Sequence, residues 1–395
     1  MHNPLQVLKH YWGYDGFRPG QAEVIDSILS GHDTLALMPT GGGKSITFQV
    51  PALANPGICL VVSPLVALMK DQVKNLQKRG ILSAFISSEM PHWEILQQLD
   101  NCILGDYKFL YISPERISSE LFQEKLKTLS RKVNLLVVDE AHCISQWGND
   151  FRRDYRLIAD IRDAIPHVQV IAVTASATAA VVADICEQLH FRKGYRIFKT
   201  SFERKNLSFV VRKTDNKLKE ICHILSAVPG SAVIYSRTRK GVEEYAGKLR
   251  AAGISAEYFH AGLEPVLKTE RQADWVKGFT RVLVATNAFG MGIDKGDVRV
   301  VIHTEFPDSM EAYYQEAGRA GRDGKRAYAV ALLGPQDITD IKRRPSNAFP
   351  TIEYIKRVYE ALCNRFQIAE GDGEGVSVYL DEPEFLRDWH FDKGR

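Results

Sequence analysis

The sequence predicts an α/β fold in which two tandem lobes, each built on a parallel sheet, precede a small, mainly helical C-terminal segment. Short apolar runs alternate with longer helical patterns through most of the chain, which is typical of parallel strands covered by helices. A basic stretch around Arg192–Lys205 shows neither pattern, and the alternation starts again after it. The length of 395 residues is also too great for one ordinary core and fits two or three domains.

Candidate buried strands lie on both sides of the basic stretch, which we interpret as irregular. Those of the first lobe, residues 1–203, are Thr34–Met38, Ile58–Val62, Phe109–Ile112, Leu135–Val138 and Val170–Val173. Those of the second lobe, residues 204–335, are Ala232–Tyr235, Ala256–Phe259, Arg281–Ala285, Val298–His303 and Tyr328–Leu333. Short apolar runs bounded by turn residues favour strands that are buried on both faces.

The pattern changes after Gly334, and residues 336–395 are predicted to form a separate small segment. We interpret Arg343–Asn347 as a linker, Ile352–Phe366 as an amphipathic helix and Val376–Tyr379 as a short strand. The apolar stripe of the helix consists of Ile352, Ile355, Val358, Leu362 and Phe366.

The composition is that of a soluble globular protein, with 45% apolar and 25% charged residues. No apolar run approaches the roughly 20 residues that cross a bilayer, and the amino terminus has no secretory pattern. A net charge of +3 is a weak argument for a polyanion partner, because binding depends on local basic surface. The 6 cysteines are scattered without a Cys-x-x-Cys pair, so we expect a reduced, intracellular protein.

A phosphate-binding loop is predicted between a strand and a helical pattern, at residues 38–45. Its glycines let backbone N–H groups approach phosphate oxygens, and the start of the helix adds its dipole. Lys44 is expected to reach the β- and γ-phosphates of ATP, and Ser45 to bind Mg²⁺. Met38 departs from the strict pattern, and the alternative is a turn that binds nothing. The predicted nucleotide-binding residues of the loop are Thr40, Gly41, Gly42, Gly43, Lys44 and Ser45.

The run Leu135–His142 supplies the acidic residues that such a loop requires. A buried strand delivers Asp139 to its carboxyl end, where the carboxylate would hold Mg²⁺ through water. Glu140 would polarise the attacking water. His142 either links the ATP site to a nucleic-acid site or caps the turn. The alternative for the whole run is an exposed helix start.

Positive charge for the transition state is predicted in the second lobe, at Arg319 and Arg322, with the neutral Gln315 next to them as a further catalytic residue. The two arginines lie three residues apart on a predicted helix, and hence on one face. We interpret them as catalytic arginines, with a solvated basic face as the alternative.

Together with Leu8–Tyr14 and Phe17–Gln21, these motifs resemble the superfamily-two helicases, and in detail the RecQ family, over about residues 5–335. The resemblance implies two RecA-like lobes with Mg-ATP in the cleft between them. It implies that Tyr14 stacks on the adenine and that Arg18 and Gln21 hydrogen-bond it. Without the resemblance, the aromatic rings of this segment would be core residues. Asp294 would contact the ribose or the hinge between the lobes.

The resemblance also implies that single-stranded DNA lies across both lobes. The implied DNA-binding residues are Ser63, Arg116, Trp147, Phe151, Arg152, Thr286 and Asn287. The segment Cys143–Tyr155 is similar to the aromatic-rich loop of RecQ helicases, whose rings would stack on unpaired bases. Its alternative is an aromatic cluster that packs on the lobe surface. Asn149 stands where family members usually carry histidine, so coupling between DNA and ATP would differ.

RecQ proteins commonly carry a four-cysteine zinc module and then a winged helix after the second lobe. Only Cys363 occurs there in this chain, so we expect no zinc. The C-terminal segment would be a zinc-free remnant, the start of a winged helix or a helical packing element.

The function expected from this resemblance is a DNA-stimulated ATPase that moves 3′ to 5′ on single-stranded DNA and unwinds duplex DNA in repair and recombination. Its partners would be single-stranded and tailed duplex DNA, with single-strand-binding or repair proteins as further candidates and no membrane. The expected compartment is the bacterial cytoplasm, at the nucleoid, or otherwise the nucleus.

Three alternatives remain open from the sequence. One is an ATP-dependent translocase that remodels DNA–protein complexes without separating strands, a second is an RNA-directed helicase, and a third is a binding module that uses ATP only as a conformational ligand.

Overall fold

The computed structural model describes residues 3–39, 41–145, 152–175, 177–201, 203–289, 295–348, 350–369, 371–375 and 377–391, with the backbone alone for 344–348. The expected α/β class is confirmed, because the strands form one parallel sheet of 7 strands and a second of 6. Within these residues, no helix combines the length and the apolar character needed to cross a membrane.

The first sheet has the strand order β3-β4-β2-β5-β6-β1-β7. Its strands are β1 Thr34–Leu37, β2 Ile58–Val62, β3 Ser83–Ile86, β4 Phe109–Ile112, β5 Val133–Asp139, β6 Gln169–Thr174 and β7 Arg196–Lys199. Its helices are α1 Pro4–Trp12, α2 Gln21–Leu29, α3 Lys44–Ala54, α4 Val66–Gln77, α5 His92–Leu104, α6 Glu120–Leu129, α7 Ile158–Ala164 and α8 Ala179–Gln188. Helices cover both faces, so every residue of β1, β2 and β4 is buried.

The second sheet has the order β10-β11-β9-β12-β13-β8. Its strands are β8 Leu207–Lys213, β9 Ser231–Tyr235, β10 Ala256–Phe259, β11 Val282–Ala285, β12 Val298–His303 and β13 Ala327–Leu333. Its helices are α9 Lys217–Ala227, α10 Arg239–Ala251, α11 Pro265–Lys277 and α12 Met310–Ala317. Each sheet therefore repeats the same construction, with a separate apolar core on each face.

Every strand predicted for the two lobes is present, with ends shifted by at most two residues. The strands β3, β7 and β8, which are edge strands of their sheets, were not predicted. The interpretation of Arg192–Lys205 as wholly irregular was wrong, because β7 lies within it. Most β7 side chains are exposed, so this strand lacks the continuous apolar run that marks a central strand.

The C-terminal segment differs from its prediction in two places. Arg343–Asn347 is not a linker, because α13 spans Asp337–Ala348 without interruption. Residues 377–380 form no strand. The helix over Ile352–Phe366, α14, is confirmed with the predicted bounds.

The apolar stripe of α14 is buried along only part of its length. Ile352 and Ile355 are 69% and 53% exposed, whereas Ala361 is buried against Phe385 and Phe391. Phe385 belongs to a short helix, α15, that spans Glu382–Asp388. The segment thus has its own small aromatic core, which is too short to cover the first turns of α14.

A buried carboxylate fixes the start of β1, the strand that carries the phosphate-binding loop. Asp33 is 1% exposed and accepts hydrogen bonds from the backbone N–H groups of Val170 and Arg192, at 2.9 and 2.8 Å. It also pairs with the guanidinium groups of Arg162 and Arg192, at 3.2 and 2.8 Å. These contacts lock β1 between β6 and β7.

Removal of this carboxylate should destabilise the first lobe. We expect Asp33→Ala to lower the free energy of unfolding by about 3–5 kcal/mol, because the guanidinium of Arg162 is left buried without its partner. The measurement is the urea transition of the first lobe. Asp160→Ala, on the exposed side of α7, is the control and should change it by less than about 0.5 kcal/mol. Equal effects of the two variants would contradict a stabilising role of Asp33.

Candidate active site

The parallel arrangement of the first sheet gathers its chemically active residues at one edge. The loop after β1, the acidic pair at the end of β5 and Thr174 at the end of β6 all follow neighbouring strands in the order β5-β6-β1. The carboxyl ends of parallel strands meet at the same edge, which is where ligands bind in open α/β sheets.

The phosphate-binding loop has a backbone that only glycine adopts without strain. Gly41 and Gly43 both have a φ of +77°, and Gly43 precedes the first residue of α3, Lys44. A Cβ at Gly42 would lie 2.9 Å from the carbonyl oxygen of Pro39. The loop thus turns tightly into the helix with its backbone accessible, as a phosphate cradle requires. Thr40 lies outside the described residues.

Lys44 and the acidic pair face each other at the end of this loop. Lys44 Nζ lies 3.5 Å from Glu140 Oε1, and within the described residues this buried ammonium has no hydrogen-bond partner. Burial raises the pKa of Asp139 to about 6, the charge of Glu140 raises it in the same direction, and Lys44 opposes both. Glu140 has a φ of +47°, a costly conformation for a residue with a side chain.

These residues fit a magnesium ion and a triphosphate. Burial and the charge of Glu140 disfavour the ionised form of Asp139, so a cation beside it would be favourable, and within the described residues Lys44 Nζ has no hydrogen-bond acceptor. Ser45, half-buried in the first turn of α3, adds a hydroxyl oxygen next to Lys44. Oxygen ligands and few protein donors are what Mg²⁺ takes when it binds together with phosphates.

His142 connects two strand ends. Its Nδ1 lies 2.9 Å from the hydroxyl of Thr174, at the end of β6, and 3.4 Å from Glu140 Oε2. The ring is 8% exposed. Of the two roles predicted for His142, this geometry favours a link from the acidic pair over a simple turn cap.

The segment predicted to bind adenine also braces the phosphate-binding loop. Gln21 is buried, accepts from the Arg18 backbone N–H at 2.8 Å and donates to the Gly43 carbonyl at 3.0 Å. The Arg18 guanidinium donates to the Gly41 carbonyl at 2.8 Å. Tyr14 is 52% exposed, so its ring is accessible for stacking. Asp294 lies outside the described residues.

The arginines of the second lobe reach this loop from a turn. The prediction that Arg319 and Arg322 share one helix face was wrong, because α12 ends at Ala317 and residues 318–323 form turns. Gly321, with a φ of +62°, allows this path. A Cβ at Gly41 would lie 3.2 Å from Arg322 Cγ, so Arg322 packs directly against the phosphate-binding loop.

Arg319 lies deeper, beside Tyr235. Arg319 is 8% exposed. Burial raises the pKa of Tyr235 to about 12, and the positive charge of Arg319 opposes this rise. Gln315 is half-buried on α12, one turn before the arginines. Arg322 therefore brings the second lobe to the phosphate-binding loop, with Arg319 in the same turn and Gln315 on the helix before it.

The residues predicted to bind DNA differ in their exposure to solvent. Asn287 is exposed just after β11, while Thr286 is 7% exposed. Arg152 donates to the Pro64 carbonyl at 3.2 Å, beside Ser63, which is 1% exposed. Trp147 and Phe151 lie outside the described residues.

Arg116 is engaged in the protein itself. Its guanidinium donates to the carbonyls of Ser87 and Ser88, at 2.9 and 3.0 Å. The preceding Ser113 opens a 3₁₀ turn over Pro114–Arg116. In this structure Arg116 therefore braces the loop after β3.

Comparison with known proteins agrees with this architecture. The model of the DEAD/DEAH box helicase family matches residues 18–185, and that of the helicase conserved C-terminal domain matches residues 216–324. The ATP-dependent DNA helicase RecQ of Bacillus subtilis is 43% identical over 86% of this chain and 57% of its own length. The probable ATP-dependent DNA helicase RecS of the same organism is 40% identical over 84% of this chain and 67% of its own. The chain belongs to the RecQ family of superfamily-two helicases.

The fold of this RecQ-family chain is shared beyond the family. The structure of Mycobacterium smegmatis helicase Lhr bound to ssDNA and AMP-PNP matches with a TM-score of 0.67 at 20% identity, over 86% of this chain and 49% of that one. The two lobes are thus RecA-like. Members of the RecQ family use ATP and Mg²⁺. The chain spans little more than half the length of the first RecQ relatives that it matches.

Two residues of the nucleotide cleft were missed by the sequence analysis. Arg204 and Asn206 follow the first sheet and contact the turn of Arg319 and Arg322. Their only sequence signal is their position at the end of a basic stretch, which does not distinguish them from neighbouring charged residues.

Close packing of the phosphate-binding loop against Gln21 predicts a specific effect of Gly43→Ala. The new Cβ would lie 2.4 Å from Gln21 Nε2, so the Gln21 amide has to leave the carbonyl of Gly43, the loop loses this brace, and ATP affinity should fall roughly tenfold or more. Gly80→Ala is a matched control, since Gly80 has a φ of +76° and its Cβ would meet nothing within 4 Å.

Both variants should lose about 1 kcal/mol of stability from the positive φ. Only Gly43→Ala should weaken binding of a fluorescent ATP analogue. An unchanged affinity in Gly43→Ala would show that the brace from Gln21 does not shape the site.

Proposed function

We propose that this chain is an ATP-dependent DNA helicase that moves 3′ to 5′ on single-stranded DNA and separates duplex strands. The observation that carries the proposal is the meeting of Lys44 and Glu140 of the first lobe with Arg322 of the second at the phosphate-binding loop. An ATPase that uses both lobes has to change their relative position during hydrolysis. The identity of 43% with a DNA helicase named RecQ supports DNA as the substrate.

The residues of the first lobe would bind ATP and activate water. Lys44 would donate to the β- and γ-phosphates, since its buried ammonium lacks acceptors. Ser45 and Asp139 would hold Mg²⁺, which neutralises charge on the phosphates. Glu140 would accept a proton from the attacking water. When Lys44 engages the phosphates, its ammonium would move from Glu140 Oε1, which lies 3.5 Å away in this structure.

The residues of the second lobe would stabilise the charge that develops on the transferred phosphoryl group. Arg322, in contact with the loop, and Arg319 are fixed donors of this kind, with Gln315 beside them. Tyr14, Arg18, Gln21 and Asp294 would complete the site around the base and ribose. Closure of the cleft on ATP, and reopening after hydrolysis, would then alternate the grip of the lobes on DNA.

The DNA strand would lie along the carboxyl edges of both sheets. Asn287 and Thr286 follow β11, and Ser63 follows β2, so both sets lie at strand ends. Arg152 is tied to Pro64, next to Ser63, and would carry strand contacts together with Trp147, Phe151 and Arg116. The pair of His142 and Thr174 would connect this surface to Glu140.

We assign residues 1–203 and 204–335 to the two lobes and 336–395 to an appended segment. In the part of the chain that the structure describes, no group of three or more His, Cys, Asp or Glu residues is placed to hold a metal, and all 6 cysteines are free. We propose no zinc. The DNA partners would be single strands and tailed duplexes, in the cell compartment that holds the chromosome.

A translocase that does not separate strands is the second candidate. The described residues after β13 contain helices and no strand, so they offer no β-hairpin to split a duplex. ATP hydrolysis and movement would remain in that case, and strand separation would be lost.

The polarity and the unwinding can be tested together. With Mg-ATP, a duplex with a 3′ single-stranded tail should be separated and a duplex with a 5′ tail should not. Lys44→Ala should abolish separation because the phosphates lose their ammonium ligand. A tailed RNA duplex in the same assay distinguishes an RNA-directed helicase. Hydrolysis that DNA stimulates without any separation would instead support the translocase.

The role of Glu140 predicts that turnover and binding respond differently to substitution. Glu140→Gln should reduce hydrolysis by at least about a hundredfold, because an amide cannot accept the proton. Binding of an ATP analogue should change by less than about threefold, since the phosphate ligands stay. Glu115→Gln, an exposed glutamate at the same edge of the sheet, is the control and should hydrolyse normally. Normal turnover in Glu140→Gln would exclude it as the base.

A further inference from the structure

An arginine from the connection between the two sheets holds the turn that carries Arg319 and Arg322. Arg204 lies between the end of β7 and the start of β8. Its guanidinium donates to the carbonyls of Gly318, Ala320 and Gly321, at 3.3, 2.9 and 2.6 Å. These carbonyls follow the end of α12 and so lack helical partners. A charge-assisted fork of three hydrogen bonds replaces them.

Asn206 clamps the other side of the same turn. Its Nδ2 donates to the carbonyls of Gly321 and Lys325, at 2.7 and 2.8 Å. The backbone carbonyl of Asn206 accepts a hydrogen bond from the N–H of Ala327, at the start of β13, at 2.9 Å. A Cβ at Gly321 would lie 2.6 Å from Asn206 Nδ2, so the contact requires glycine there. The turn is thus held by side chains from one short segment.

The turn that Arg204 holds lies against the phosphate-binding loop of the first lobe. Arg322 of this turn packs against Gly41, since a Cβ at that glycine would lie 3.2 Å from Arg322 Cγ. Arg18 donates to the carbonyl of the same glycine at 2.8 Å. Burial lowers the pKa of Arg204, and the positive charge of Arg18 lowers it further. Arg204 therefore holds a turn that contacts the phosphate-binding loop, although Arg204 belongs to no motif predicted for the cleft.

We propose that Arg204, assisted by Asn206, is a positioning residue that fixes the turn of Arg319 and Arg322 against the phosphate-binding loop. The segment that joins the lobes thereby determines where the catalytic arginines stand. This inference rests on the proposed ATP hydrolysis. A catalytic donor contributes only when it is held in the geometry of the transition state, so loosening the turn costs rate and leaves ATP binding largely intact.

The first experiment separates turnover from binding. Arg204→Met keeps an unbranched apolar stem and removes the hydrogen bonds to the turn. It should lower kcat roughly tenfold or more, with the KM for ATP changed by less than about threefold. Arg204→Lys keeps the charge without the fork and should fall between Arg204→Met and the unchanged protein.

Arg212→Met is the matched control. Arg212 lies on β8, a few residues further along, where it pairs with Glu220 at 3.3 Å, outside the turn. It should retain normal kcat. Equal losses in Arg204→Met and Arg212→Met, or a loss carried by KM alone, would overturn the positioning role.

The second experiment tests whether Arg204 acts through the arginines. In the background of Arg322→Ala or Arg319→Ala, adding Arg204→Met should lower kcat by less than about twofold in at least one of them, because the positioned group is already gone. A further tenfold loss in both backgrounds would mean that Arg204 supports the lobe in general, and would reject the inference. Thermal unfolding and binding of an ATP analogue identify a variant that fails to fold.

The outcomes distinguish this inference from the proposed function. If Arg319→Ala and Arg322→Ala both hydrolyse ATP normally, the catalytic role of the arginines fails, and the positioning role fails with it. If either arginine variant is inactive and Arg204→Met is normal, the inference alone fails.

Discussion

The constraint on which this structure depends is that all paired strands of both sheets run parallel. The residues that follow each strand then emerge at one edge of its sheet. Lys44 lies far in sequence from Asp139 and Glu140, yet the order β5-β6-β1 brings the loop and the acidic pair together. Asp33 adds to this order by fixing β1 between its neighbours with a buried carboxylate. The turn after α12 lies at the opposite edge of the second sheet, because it precedes β13 and the Gly321 N–H donates to the carbonyl of Val298 at the start of β12.

The ionised form of Asp139 is disfavoured in the cleft by burial and by the negative charge of Glu140, so the site favours a positive ion. Asp139 has an ordinary pKa of 3.8, which burial and Glu140 raise to about 6 in the folded protein. The folded state therefore binds a proton more tightly than the unfolded chain, and the contribution of Asp139 to stability falls as pH rises from about 4 to about 6. A cation beside this carboxylate would act in the same direction as the proton. Mg²⁺ held by Asp139, as proposed, would therefore offset this loss of stability at neutral pH.

The sequence predicted most of the fold and the composition of the site, for identifiable reasons. Central strands buried on both faces leave continuous apolar runs, and the phosphate-binding loop needs a glycine pattern that few other structures need. The edge strand β7 has neither signal. The turn of Arg319 and Arg322 was read as a helix because glycine spacing alone does not show that Gly321 has a positive φ. In α13, helix formation outweighs the composition of Arg343–Asn347 that suggested a linker.

Arg204 shows why the remaining part of the site was not predictable. Its function depends on carbonyl groups more than a hundred residues away, and backbone carbonyls leave no trace in a sequence. Arg18 and Arg204 act alike on the two halves of the site. Arg18 donates to the carbonyl of Gly41 in the loop of the first lobe, and Arg204 donates to three carbonyls in the turn of the second. In each half a guanidinium group fixes backbone that carries proposed catalytic residues, so the geometry of the site would depend on hydrogen bonds to main-chain carbonyls as much as on the motifs that the sequence displays.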